Sequence, residues 1–237
     1  MKVTLVTGAS QNHFKTLIQF IECFIVKTQN STNNIKLIVY DLGLDSNNFE
    51  LIQLKFKESN IEYKAFDYSQ YPDYFNININ AGEYAWKPCI LYNECVINGD
   101  IVIWMDSGNL LLDNLSNLIK EIKENYIHTA CTSGNIKLWT HPLTLSYLNC
   151  PESFLSLYNR NGACVGINYN IDYVKDFINE WKNCALVKDC IAPSGSSRQN
   201  HRQDQSVLSV LYYKYLHKYN FYTQSTYNGY VLHQDID

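Results

Sequence analysis

The sequence predicts an α/β fold: one domain over residues 1–237, with a mainly parallel central sheet flanked by helices. Through the first half of the chain, short apolar runs alternate with apolar sets spaced for one face of a helix. That alternation makes successive strands parallel, because each return must cross a face of the sheet. The 237 residues suffice for one large core, and 46% of them are hydrophobic, which argues against extensive disorder. No internal repeat and no linker-like stretch divides the chain.

The elements follow in order. Residues 2–7 form an apolar strand, and Phe14, Leu17, Ile18, Ile21, Phe24 and Ile25 then mark one helix face. A second buried strand, residues 36–40, ends at Asp41-Leu42-Gly43-Leu44. A helix over 48–57 and a strand over 62–66 come next. Pro88 sits in the first turn of a helix reaching about Ile97, where its missing N–H costs nothing. Gly99-Asp100 turns the chain into Ile101-Val102-Ile103-Trp104-Met105, the most apolar strand, which ends at Asp106-Ser107-Gly108. Asp113 is the expected cap of a helix carrying Leu115, Leu118, Ile119 and Ile122. Beyond Trp139 the pattern is less regular. A strand over 163–167, a helix over 171–181, a Ser/Gly loop over 192–198 and a helix with Val207, Leu208, Leu211 and Tyr215 complete the chain.

Composition excludes several classes. With 19 Lys+Arg against 23 Asp+Glu the net charge is -4, without the basic surplus by which proteins bind nucleic-acid phosphates. No segment approaches the roughly 20 apolar residues that cross a bilayer. The opening residues lack the pattern of a signal peptide, so a cytoplasmic location is expected. In that compartment the 8 cysteines are expected as buried thiols rather than disulfides, and no CxxC suggests zinc.

Ligands of open α/β sheets sit at the carboxyl ends of the strands. The polar candidates there are Thr7, Gly8, Ala9 and Ser10, then Asp41, then Asp106 to Asn109, with Asn168 as a further one. Val6-Thr7-Gly8-Ala9-Ser10 looks like the opening of a short-chain dehydrogenase. However, Asn12 and Phe14 stand where further glycines are needed, and none of the 19 tyrosines has a lysine four residues on.

Tyr84-Ala85-Trp86-Lys87-Pro88, followed by Trp104-Met105-Asp106-Ser107-Gly108-Asn109 and the apolar run to Asp113-Asn114-Leu115, resembles the glycogenin-like and lipooligosaccharide-galactosyltransferase-like GT-A enzymes. Asn161-Gly162-Ala163-Cys164-Val165-Gly166 and His201-Arg202-Gln203-Asp204-Gln205 are similar to two later motifs of the same enzymes, in the same order. The resemblance implies a GT-A-like (Rossmann-like) domain that transfers a sugar from a nucleotide-diphosphate donor, UDP-linked, to a hydroxyl of a glycan or protein, with retention. It implies that Thr7, Gly8, Ala9, Asp41, Lys87, Asp106, Ser107 and Arg202 bind the donor, with Lys87 facing the diphosphate. It assigns Asp204 and Gln205 to the catalytic end, and Asp106 with the late His233 to Mn²⁺ or Mg²⁺. A cation there would offset charge growing on the leaving diphosphate. Arg198, His201 and Arg202 place cations in or beside the Ser/Gly loop, and Tyr40, Tyr84 and Trp86 adjoin these positions. Gly108 stands where those enzymes carry the second Asp of Asp-x-Asp. A non-catalytic nucleotide- or carbohydrate-binding module with a degenerate metal motif is therefore the alternative reading.

Overall fold

The computed structural model describes residues 1–237 apart from 32, 222–226, 235 and 237. The first half alternates as expected: β1 (Val3–Ala9), α1 (Phe14–Thr28), β2 (Ile35–Asp41), α2 (Ser46–Lys55), β3 (Ile61–Ala65), α3 (Trp86–Asn98) and β4 (Ile101–Met105). Then come β5 (Leu110–Leu111), α4 (Ser116–Asn125), β6 (Ile127–His128), β7 (Cys131–Asn135), α5 (Ile136–Trp139) and α6 (Pro142–Tyr147). The chain continues through β8 (Tyr158–Arg160), β9 (Cys164–Asn168), α7 (Asp172–Ala185), α8 (Lys188–Ile191), α9 (Gln203–Tyr219) and β10 (Tyr230–Val231).

The central sheet runs β3-β2-β1-β4-β9-β6. Strands β3, β2, β1 and β4 pair in parallel, whereas β9 lies antiparallel to both β4 and β6. Alternate residues of each strand feed opposite faces. Val3 and Leu5 of β1 join Leu37, Ile103 and Met105 against α1 and α4. Val6, Ile38 and Trp104 join the other face, beneath Leu91 of α3, Trp181 of α7 and Leu208 of α9. Both faces are covered, as expected of a mainly parallel central sheet flanked by helices.

Three expectations are corrected. Asn168 does not share the ligand-binding edge, because antiparallel β9 carries it to the opposite end, where it pairs with Ile101 at the start of β4. Asp113 does not cap α4: its Oδ1 accepts the Leu115 amide at 2.7 Å, and Leu115 itself precedes the helix in a left-handed conformation at φ 61°. Cys184 and Cys190 form a disulfide, since the end of α7 and the start of α8 bring their Cα atoms within 5.3 Å. Cys89, Cys95 and Cys164 are buried thiols as expected, and burial pushes each above the ordinary thiol range, Cys89 to about 12. Among the described residues no helix is long and apolar enough to cross a membrane.

Candidate active site

In the strand order, the chain builds outward from β1 through β2 and β3 and then crosses back to place β4 on the other side of β1. A crevice therefore opens at the carboxyl ends of β1 and β4. A cavity of about 940 Å³ fills that crevice. Its floor includes Gly8 to Ser10 at the carboxyl end of β1, Leu42 and Gly43 after β2, and Asp106 to Gly108 after β4. Its far wall comes from the start of α9 and the residues before it.

At the centre lies Lys87, on the first turn of α3 and only 4% exposed. Its Nζ is 3.0 Å from Asp106 Oδ1 and 3.2 Å from Asp204 Oδ2, and it donates to the Gly162 carbonyl at 3.1 Å. The ammonium thus makes one hydrogen bond, to Gly162, and two ion pairs, to Asp106 and Asp204. Tyr84, Trp86 and Trp104 place ring centroids within 5.9 Å of the same ammonium. Burial alone would lower the Lys87 pKa, but Asp106 and Asp204 outweigh it and hold the ammonium above its ordinary value. Asp204, 5% exposed, is pushed up by burial, with Lys87 opposing and Asp106 adding to the shift. Asp106 is tied less tightly. Its side chain is 36% exposed, and its Oδ1 also accepts the Trp104 indole N–H at 2.5 Å. Gly162 admits this packing because a Cβ there would stand 3.0 Å from Asp204 Oδ2. The Trp181 indole donates to the Asp204 carbonyl at 3.0 Å and anchors the first turn of α9.

One wall is a stretch that carried no sequence signal. Ile77 abuts Gly43, and the chain then enters five consecutive left-handed residues, Asn80 to Tyr84, with φ between 49° and 60°. Gly82 is required at the middle, since a Cβ there would strike the Phe75 carbonyl oxygen. Left-handed backbone is costly for Ala81, Glu83 and Tyr84, and such strain concentrates at functional sites. The run ends by presenting the Tyr84 hydroxyl to Arg198, whose Nη1 donates at 2.7 Å. Arg202 lies with its Cζ 4.0 Å from the Trp139 ring centroid.

The late segment closes the other side. Strand β10 pairs antiparallel with β5, and the Gln234 amide donates to the Gly108 carbonyl at 2.6 Å. Beneath it, Glu121 accepts from His128 Nδ1 at 2.8 Å, and His128 Nε2 meets the Tyr230 hydroxyl at 2.9 Å. The second Glu121 oxygen accepts from Asn228. This buried chain of polar groups holds the segment that brings His233 to the cavity lining.

Of the residues singled out from sequence, Gly8, Ala9, Lys87, Asp106, Ser107, Arg202, Asp204, Gln205 and His233 all border this one cavity. Thr7 and Asp41 do not. Thr7 is wholly buried, and Asp41 Oδ1 instead accepts the Gly43 and Leu44 amides, which shapes the turn at Gly43. Tyr40 is likewise withdrawn, its hydroxyl bonded to Glu94 at 2.5 Å. His201 faces inward: its Nδ1 accepts the His141 amide and its Nε2 meets the Ile191 carbonyl at 2.7 Å. Ile77, Asn78 and Ala81 line the cavity but were not legible, because the loop from Asp67 to Tyr84 has no periodicity. Among the described residues no three His, Cys, Asp or Glu side chains converge as a metal cage.

Comparison with known proteins agrees with this architecture. The model of a family described as "Protein of unknown function (DUF1647)" matches residues 1–92. No curated protein matches the chain in sequence. Among solved structures, the bifunctional glycosyltransferase WbbM superposes with a TM-score of 0.58 at 15% identity, over 90% of this chain and 38% of that one. The galactosyltransferase LgtC, in complex with donor and acceptor sugar analogs, gives 0.57 at 17% identity, over 88% and 70%. Core-mannan synthase A from Aspergillus fumigatus, in its Mn/GDP form, gives 0.57 at 10% identity, over 89% and 69%. The chain therefore has a GT-A-type glycosyltransferase fold and spans well under half the length of WbbM.

Proposed function

We propose that this protein is a glycosyltransferase that moves a sugar from a UDP-sugar to a hydroxyl of a glycan or protein, with retention. The observation that carries the reading is the meeting of Lys87, Asp106 and Asp204 in one cavity at the switch point of the sheet. In this reading the nucleoside lies over Gly8 to Ser10, the diphosphate over the turn at Asp106 and Ser107, and the sugar against Asp204 and Gln205. Lys87, paired with both carboxylates, orients them and adds positive charge beside the diphosphate.

A divalent cation fits this site as a shared ligand. Asp106 is partly exposed, His233 borders the same cavity, and the Gln234–Gly108 bond seats the His233 segment on the Asp106 turn. Ions such as Mg²⁺ are commonly held by one or two protein groups together with substrate phosphates. Asp106 and His233 would hold it, and when bound it would supply positive charge to the leaving diphosphate. The Gly108 position also supports a second reading, a binding module without turnover.

The test is a thermal-shift panel of nucleotide sugars, followed by donor hydrolysis with Asp106→Asn. UDP or a UDP-sugar is expected to raise the melting temperature, more so with Mn²⁺, by mass action on the folded state. Asp106→Asn should fold and lose about a hundredfold in turnover, the scale of one strong electrostatic stabiliser. Binding without hydrolysis or transfer in the wild type would favour the module, and stabilisation by NAD(P) alone would sink both readings.

A further inference from the structure

The cavity has two ends, and the wall between them can be followed residue by residue. It starts where Ile77 abuts Gly43, passes Ala81, reaches Tyr84, and finishes at Arg198 and Arg202. Gly43 belongs to the mouths of β1 and β2, where a nucleoside would lie. Arg198 and Arg202 finish that wall, on the stretch of chain that leads into α9 and Asp204.

Their surroundings are unusual for two cations. Arg198 donates to the Tyr84 hydroxyl and lies with Cζ 5.6 Å from that ring's centroid, and Arg202 stacks on Trp139. Among the described residues neither guanidinium makes an ion pair, while the buried Asp204 is paired with Lys87. The two are also close enough to disfavour one another. Burial lowers the Arg202 pKa and the charge on Arg198 lowers it further. Aromatic faces hold both forks in place without neutralising them. Arg202 moreover stands at the mouth of α9, a helix of 17 residues whose first turn contributes positive potential. A pair of fixed, mutually repelling guanidiniums is complementary to a dianionic oxyanion, which can accept a fork from each.

We propose that Arg198 and Arg202 form a second anion seat at the acceptor end of the cavity, and that the acceptor carries a phosphate near the hydroxyl that receives the sugar. This rests on the donor reading given above, because it takes the diphosphate to lie over Asp106. The seat itself does not depend on that reading. A free phosphate group offers the same chemistry as an acceptor's phosphate, so inorganic phosphate serves as the probe. The donor's own diphosphate is the competing source.

The experiment is calorimetric titration of inorganic phosphate into the full chain, with and without saturating UDP, for the wild type and Arg198→Gln. Arg198 is exposed, so the variant should keep its fold, and an unchanged melting temperature checks this. Phosphate is expected to bind the UDP-loaded protein. Arg198→Gln should weaken it about tenfold, the scale of one charge-assisted bond. Adding Arg202→Gln should abolish it, whereas UDP affinity in Arg198→Gln should stay within about twofold. Acetate should bind far more weakly than phosphate.

Several results overturn the proposal. One is exclusion of phosphate by UDP together with an equal loss of UDP affinity in Arg198→Gln, since the arginines would then hold the donor. Another is acetate binding as tightly as phosphate. A third is a wild type that binds no phosphate under either condition. If the wild type binds no UDP, the donor reading fails, and phosphate titration of the unliganded protein and its Arg198→Gln variant still decides the seat.

Discussion

Three oxygens surround the Lys87 ammonium, and two of them are carboxylates that would otherwise repel each other in a poorly solvated site. Removing the cation is therefore worse than removing a neutral contact. Lys87→Met is expected to destabilise the protein by about 3–5 kcal/mol, the cost of leaving a buried charge without its partner. Adding Asp204→Asn should recover part of that loss, because the repulsion goes with the charge. Urea unfolding of the two variants checks both statements, and independent, additive losses would show that Lys87 and Asp204 are not coupled. At this scale Lys87, Asp106 and Asp204 were legible from the succession of short motifs around them. Their pairing with one another was not, since it depends on where Gly162 and the start of α9 arrive in space.

At the scale of elements, the run of residues 101–105 was readable to the residue because every side chain in it is apolar and buried. The direction of β9 was not readable: a short buried strand has the same composition either way, and that ambiguity misplaced Asn168. The left-handed run from Asn80 to Tyr84 also escaped, because only Asn80 and Gly82 are residue types that favour it. The late segment carries a prediction of its own. It is held by Tyr230 on His128 and by the Gln234 amide on Gly108, so His233 can be changed without unlocking it. His233→Ala should keep the melting temperature and weaken Mn²⁺-dependent UDP binding, imidazole being a competent ligand for such ions. Calorimetry of UDP with and without Mn²⁺ decides this, and unchanged metal dependence would remove His233 from the site.

Across the whole molecule, the layered sheet and the position of the cavity followed from strand–helix alternation. The Cys184–Cys190 bridge did not follow, since pairing depends on how α7 hands over to α8. Just beyond that junction, His201 ties α8 to the chain before α6 through Ile191 and His141. Burial lowers its pKa to about 4 from 6.5, so the native state keeps the ring neutral. As the pH falls from 6.5 towards 4, the unfolded chain takes up a proton that the native chain refuses. The stability contributed by the neutral ring is thus complete above the unfolded value and lost on acidification, by at most about 3 kcal/mol. His201→Gln removes the titration while offering one acceptor and one donor. Its urea midpoint should fall less than that of the wild type between neutral pH and pH 4. Parallel acid profiles for the two proteins would show that His201 does not govern them.

The position of β4 has a consequence in time. Its neighbour on one side, β1, is made long before it, but its neighbour on the other, β9, emerges from the ribosome only after some sixty further residues, a delay of several seconds at ordinary synthesis rates. For that interval the most apolar strand of the chain presents a row of unpaired N–H and C=O groups along one edge. Such an edge invites pairing with other nascent chains. Conditions that slow encounters between chains are therefore expected to favour recovery of folded material, which soluble yield at low and high expression rates would check.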